Sequence, residues 1–163
     1  MTCVRPKWTP RILIFAGVLA ACLVGVNCPA SAAGVCTVGN GALAFGVLFD
    51  LTPTTTLDGS GSFSVNCVGS GVAYTVALDK GTFGASISSR SMQLAGGSAL
   101  LAYQIYQDSA HTVIFGDGVI GSTESGSLPL GGVATVNVFG RIPSQTAIVV
   151  GAYTDSVTVT LTF

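Results

Sequence analysis

The residues that could carry chemistry in this chain are few. Its one histidine, His111, lies in Asp108-Ser109-Ala110-His111-Thr112, so Ser, His and Asp occur side by side. A nucleophilic triad needs these three groups to converge from separate elements, with the imidazole between hydroxyl and carboxylate, and one local turn cannot arrange that. The stretch reads instead as a polar turn between two strands. Asp117, between glycines in Phe115-Gly116-Asp117-Gly118, offers one carboxylate where calcium takes about six to eight oxygen ligands. A β-turn suits it better, since Asp and Gly favour turn positions. Asp50 and Asp58 flank a Thr-rich loop, with nothing to pair them as general acid and base. No Gly-rich loop carries the Lys-Ser/Thr of a phosphate cradle. The one tryptophan, Trp8, precedes the region where a folded domain begins, which leaves no indole as a sugar-stacking platform. The expectation is a protein without catalytic residues, cofactor or metal.

Cysteine is the remaining reactive type, and its meaning depends on the compartment. Arg5, Lys7 and Arg11 precede an uncharged apolar run, Ile12 to Val26, and Ala30-Ser31-Ala32 then offers an A-x-A cleavage site. That is the three-part layout of a secretory signal peptide. It predicts a leader over 1–32, cut after Ala32 or Ala33, and an exported domain over 33–163 of about 130 residues. A rival cut is Leu19-Ala20-Ala21-Cys22, which has the form of a bacterial lipobox and would lipidate Cys22. Cys36 and Cys67 remain in the domain, an even pair in an exported chain, and are expected to form one disulfide that ties two layers. Two Cys and one distant His make no four-ligand metal set. Without the leader the domain keeps Lys80, Arg90 and Arg141 against seven acids, a net charge of −4 that offers no basic patch for nucleic acid.

What must position any site is a set of short strands. Apolar residues make up 49% of the chain, charged residues 8%, and the 22 glycines supply turns. Period-2 alternation marks Ser62 to Cys67, Tyr74 to Leu78, Arg90 to Leu94, Leu101 to Tyr106 and Ala134 to Phe139, the last broken at Gly140. Shorter candidates are Gly34 to Val38, Leu43 to Phe49, Thr112 to Phe115 and Ala147 to Val150. Thr52-Pro53 and Asp58-Gly59 read as loops, and Gly121 to Gly132 as a flexible link. The final strand, Asp155 to Phe163, alternates strictly, with Val157, Val159, Leu161 and Phe163 on one side. About eight or nine strands at this spacing predict an all-β sandwich.

The order of these pieces resembles the spore coat protein U domain family, which includes subunits of archaic chaperone–usher pili. The resemblance rests on Cys36-Thr37-Val38, Leu43-Ala44-Phe45-Gly46, Cys67, Tyr74 to Leu78 with Gly81, Arg90-Ser91-Met92 and Leu101 to Tyr106. It continues through Phe115-Gly116-Asp117-Gly118 (the family's W-G-D-G with Phe for Trp), Phe139-Gly140-Arg141-Ile142-Pro143, and a G-x-Y-x-D-x-V-x-V close over 151–159. It implies an immunoglobulin-like sandwich that lacks its last strand and is completed by donor-strand complementation. Partners would then be a periplasmic chaperone, an outer-membrane usher and other pilus subunits. The product would reach the cell surface through the periplasm. Val157, Val159, Leu161 and Phe163 would line the groove that a partner strand fills, and an end flush at Phe163 suits a borrowed neighbour.

One feature departs from a shaft subunit. After cleavage at Ala32 only Ala33, Gly34 and Val35 precede Cys36, about 10 Å of extended chain, too short to serve as a donor strand. The expectation is an adhesive pilus subunit at a fibre tip, serving attachment and biofilm formation. The alternatives are a spore or cell-surface coat protein assembling without an usher, and a secreted carbohydrate-binding or hydrolytic sandwich.

Overall fold

The computed structural model describes residues 34–46, 55–69, 71–146 and 148–163. The leader over 1–32, Cys22, Asp50, Thr52-Pro53 and the second half of the Leu43 to Phe49 segment lie outside the described residues.

Ten strands run through the described residues: β1 (Val35–Val38), β2 (Ala42–Ala44), β3 (Leu57–Val68), β4 (Val72–Leu78), β5 (Arg90–Leu94), β6 (Leu100–Tyr106), β7 (Glu124–Leu128), β8 (Gly132–Ile142), β9 (Tyr153–Thr154) and β10 (Val159–Thr162). They form two antiparallel sheets. The larger has the order β1-β3-β8-β6-β5-β9, with β2 also on β3, and the smaller has the order β10-β4-β7. The alternation read from sequence sets which side chains meet between them. Phe63, Val65 and Cys67 of β3, Val136 and Val138 of β8, and Leu101, Tyr103 and Ile105 of β6 face Tyr74, Val76 and Leu78 of β4 in one buried cluster. Val65 and Val76 are fully enclosed. Removing a side chain of that size from water contributes about 1.5–3 kcal/mol.

The longest ladder pairs β3 with β8 from Leu57↔Ile142 to Cys67↔Gly132. It corrects two sequence expectations. Asp58-Gly59 is not a loop, and β8 is not broken at Gly140; both glycines lie within strands. Their small size answers a close approach rather than a turn. A Cβ on Gly59 would press on Ala44 O and the Phe45 ring, and one on Gly140 would press on the same ring. Phe45 thus lies across two glycines of neighbouring strands.

Other elements also differ from expectation. Glu124–Leu128, inside the expected flexible link, is β7, with Gly126 beneath the Tyr74 ring. Residues 112–115 form no strand, only isolated bridges at Ile114 and Phe115. Residues 148–150 are not a strand, and Ala147 lies outside the described residues. The final strand is two elements. β9 pairs with β5 in the large sheet, residues 155–158 cross between sheets, and β10 pairs with β4 in the small one. The alternation is uninterrupted across the switch because both sheets bury the same face.

Candidate functional site

The expected disulfide is present between Cys36 and Cys67, with Cα atoms 4.1 Å apart. The two residues are direct cross-strand partners of β1 and β3, so the bond joins neighbours in one sheet and does not tie two layers as expected. Both cysteines are buried in the core. The bond fixes β1, a short strand on the rim of the large sheet.

β10 is the matching rim of the small sheet. It hydrogen-bonds to β4 through Val159↔Leu78, Thr160↔Ala77, Leu161↔Val76 and Thr162↔Thr75. Its other edge has no β-partner among the described residues. β1 passes within 8 Å of β10, Cα to Cα, so the two rims face each other. Val159 and Leu161 pack against the core but are only partly buried, as is Val157 just outside the strand. Phe163 lies beyond β10 and is 56% exposed. Three of the four expected groove residues therefore share one incompletely covered apolar strip, and the fourth extends from its end. An edge strand with half-covered apolar residues is the surface to which another strand adds.

The crossing that delivers β10 to this rim is held by charged groups that sequence reasoning overlooked. Asp155 Oδ1 accepts the Thr82 N–H at 2.9 Å and the Phe83 N–H at 3.4 Å, and Asp155 Oδ2 accepts the Tyr103 hydroxyl at 2.6 Å. Asp79 Oδ1 accepts Gly81 N–H at 2.9 Å and Thr158 N–H at 2.8 Å. Main-chain bonds from Asp79 to Thr158 O and from Thr82 to Ser156 O, both 3.1 Å, complete the attachment. Burial pushes the Tyr103 phenol up, and its bond to Asp155 adds to the effect. Burial also raises the Asp79 carboxyl, but the N–H groups of Gly81 and Thr158 outweigh it and hold the group below the usual carboxylate range.

Beneath this attachment lies Arg90, with 0% of its surface accessible. Its Nε and Nη2 donate to Asp79 O at 3.0 and 2.6 Å, Nη2 also to Phe115 O at 2.9 Å, and Nη1 to Gln104 Oε1 at 2.6 Å. Gln104 is fixed in turn by donating to Ile87 O and accepting from Ile105 N–H. Burial lowers the Arg90 pKa, and Tyr103, Asp79 and Asp155 oppose it. The sequence did carry a signal: Arg90 occupies the same face of its strand as Met92, a charge at an inward position.

The turn residues behave as polar turns. Asp108 accepts from Thr112 N–H, Val113 N–H and the Thr112 hydroxyl, and Asp117 from Val119 and Ile120 N–H. His111 has φ +58° and packs edge-on against Tyr106 at 5.2 Å. Its side chain is 6% exposed, Nε2 lies 3.8 Å from Asp58 Oδ1, and neither ring nitrogen has a hydrogen-bond partner. Asp58 is committed to Arg141 at 2.7 and 2.8 Å, which holds its carboxyl below the usual range. No hydroxyl is bonded to the imidazole, so the cluster has no activated nucleophile.

A sequence model of the Spore Coat Protein U domain matches residues 20–160. The chain belongs to the spore coat protein U domain family. It is 30% identical over 154 residues to Protein U of Myxococcus xanthus, covering 85% of this chain and 83% of that one. Its fold matches a chain in the crystal structure of the CsuC–CsuE chaperone–tip adhesion subunit pre-assembly complex of Acinetobacter baumannii archaic chaperone–usher pili. The TM-score is 0.57 at 24% identity, with 80% of this chain covered and 40% of that one. The fold is accordingly the immunoglobulin-like sandwich that the family resemblance implies.

Proposed function

We propose that this protein is a structural subunit of a chaperone–usher pilus, a sandwich one strand short whose groove is completed by a strand from another chain. The observation that carries the reading is the edge strand β10, whose Val159 and Leu161 are half-covered where it faces β1. A periplasmic chaperone fills the groove first, and a neighbouring subunit replaces it after passage through an outer-membrane usher. The leader over 1–32 directs export, and the pilus at the cell surface serves attachment and biofilm formation.

The fold likeness to a chain of a chaperone–subunit complex supports the choice of partner. The test is periplasmic expression with and without an archaic-type chaperone, taken from the gene neighbourhood of this chain or from the Acinetobacter complex. A low soluble yield alone, and a higher yield as a soluble one-to-one complex with chaperone, are expected. A yield that the chaperone leaves unchanged, with no complex formed, overturns the proposal. Placement at the tip follows from cleavage at Ala32, which leaves three residues ahead of Cys36. Mass spectrometry of the mature N-terminus checks it, and a start at Cys22 or earlier removes the argument.

A second reading is favoured by the match to Protein U, which spans most of both chains. In it the domain is a spore or cell-surface coat protein that assembles without an usher. Purified protein that polymerises in solution without chaperone or usher would select this reading over the first.

A further inference from the structure

Resting on the strand-acceptor reading above, we infer that Asp155 and Asp79 are positioning residues that set the register of the groove's rim before any partner arrives. β10 has four residues and, among those described, a single neighbour, β4. A strand so short and paired on one side frays readily. Register matters here because the side-chain period is two: a slip by one residue would turn Val159 and Leu161 to solvent and Thr160 and Thr162 to the core.

The device that prevents the slip lies immediately upstream. The turn after β4, residues 79–83, presents Thr82 and Phe83 N–H to the Asp155 carboxylate, while the Asp79 carboxylate takes Thr158 N–H. Consecutive main-chain N–H groups converging on one carboxylate make a small anion receptor. Gly81 is shaped for it twice over. Its φ is +77°, and a Cβ there would strike Asp155 Oδ2. Tyr103 closes the receptor from β6 with its hydroxyl. The segment before β10, residues 155–158, is thereby fixed to the turn after β4 and to the middle of β6, so that an incoming strand meets an ordered edge. Ordering the edge in advance removes a cost from association and shows in the on-rate.

The test is residue-resolved hydrogen exchange on the exported, processed protein, comparing wild type with Asp155→Ala, Gly81→Ala and Tyr103→Phe. Amides of 159–162 are expected to lose protection about tenfold more than amides of β3, with near-UV circular dichroism unchanged. Capture by the archaic-type chaperone is expected to slow about tenfold, with dissociation of the formed complex unaltered. Equal loss of protection in β10 and β3, or wild-type protection of β10 in Asp155→Ala, overturns the inference. If Asp155→Ala does not fold, Tyr103→Phe, which removes one donor from the same carboxylate, carries the comparison. A wild-type protein that takes no chaperone defeats the pilus reading, while the exchange data still decide the role of the carboxylates.

Discussion

Replacing Arg90 by methionine keeps a long unbranched side chain in place and removes the guanidinium. A buried carbonyl, Phe115 O, and a partly buried one, Asp79 O, lose the donors described above, while Gln104 Oε1 keeps the Ile105 N–H. An acceptor stranded in a core costs about 1–3 kcal/mol, so the two cost at most about 2–6 kcal/mol. The desolvation of a buried cation is no longer incurred, which offsets part of this and brings the expected loss to about 2–4 kcal/mol. That is a large share of a typical stability of about 5–15 kcal/mol. Urea unfolding followed by circular dichroism, with the disulfide intact, measures it. For a slope of about 1.5 kcal/mol/M the midpoint should fall by about 1.3–2.7 M with the slope unchanged. Arg90→Lys should fall in between, since an ammonium supplies charge without the planar fork that reaches several acceptors at once. A methionine variant with a midpoint within about 0.3 M of wild type would refute the reasoning that the Arg90 hydrogen bonds stabilise the fold.

Cys36→Ala with Cys67→Ala should cost about 3–4 kcal/mol by the chain-entropy relation for the separation of 31 residues, read as a drop in the same midpoint. Stability should be flat between about pH 5 and 9 and fall on either side. The depressed carboxyl of Asp79 contributes above the ordinary carboxylate pKa, and that contribution is lost as pH falls through its lower folded value. The raised Tyr103 phenol contributes fully below about pH 10, and its contribution is lost as pH rises beyond. Tyr103→Phe should flatten the alkaline limb of a midpoint-versus-pH curve, and an unchanged limb would exclude that residue as its source. His111→Phe at pH 7 should leave the midpoint unchanged or raise it, because the ring nitrogens have no partners to lose; a clear decrease would mean that the imidazole makes a contact beyond its packing on Tyr106.

The parts of the fold that were legible in the sequence are those fixed by local alternation. Arg90–Leu94 was found to the residue, and the inward faces of β4 and β6 were read correctly, because a side chain's face depends on parity alone. Glycine misled where its meaning depended on what packs opposite. Gly59 and Gly140 accommodate Phe45, and Gly126 accommodates Tyr74, contacts made by residues distant in sequence. The switch of the last segment from one sheet to the other could not be read, since both sheets demand the same alternation. The acceptors of Arg90 lie 11, 14 and 25 positions away, so its charge was visible but its partners were not.

The cross-strand bond between Cys36 and Cys67 has a mechanical consequence. A tensile force applied at the N-terminal end of the domain enters β1 and passes at Cys36 directly into β3, bypassing the residues between them. From Cys67 the covalent path continues through Val68 toward β4, so the rest of β3, with ten of the eleven positions of its ladder to β8, lies inside the bypassed loop. The bypassed residues cannot pay out length even if that ladder fails. At about 3.3–3.6 Å per residue, the 31-residue separation withholds about 100 Å of extension. A stretched oxidised domain is therefore shorter at full extension than a reduced one by that amount, a difference that single-molecule pulling in the presence and absence of reductant would read directly.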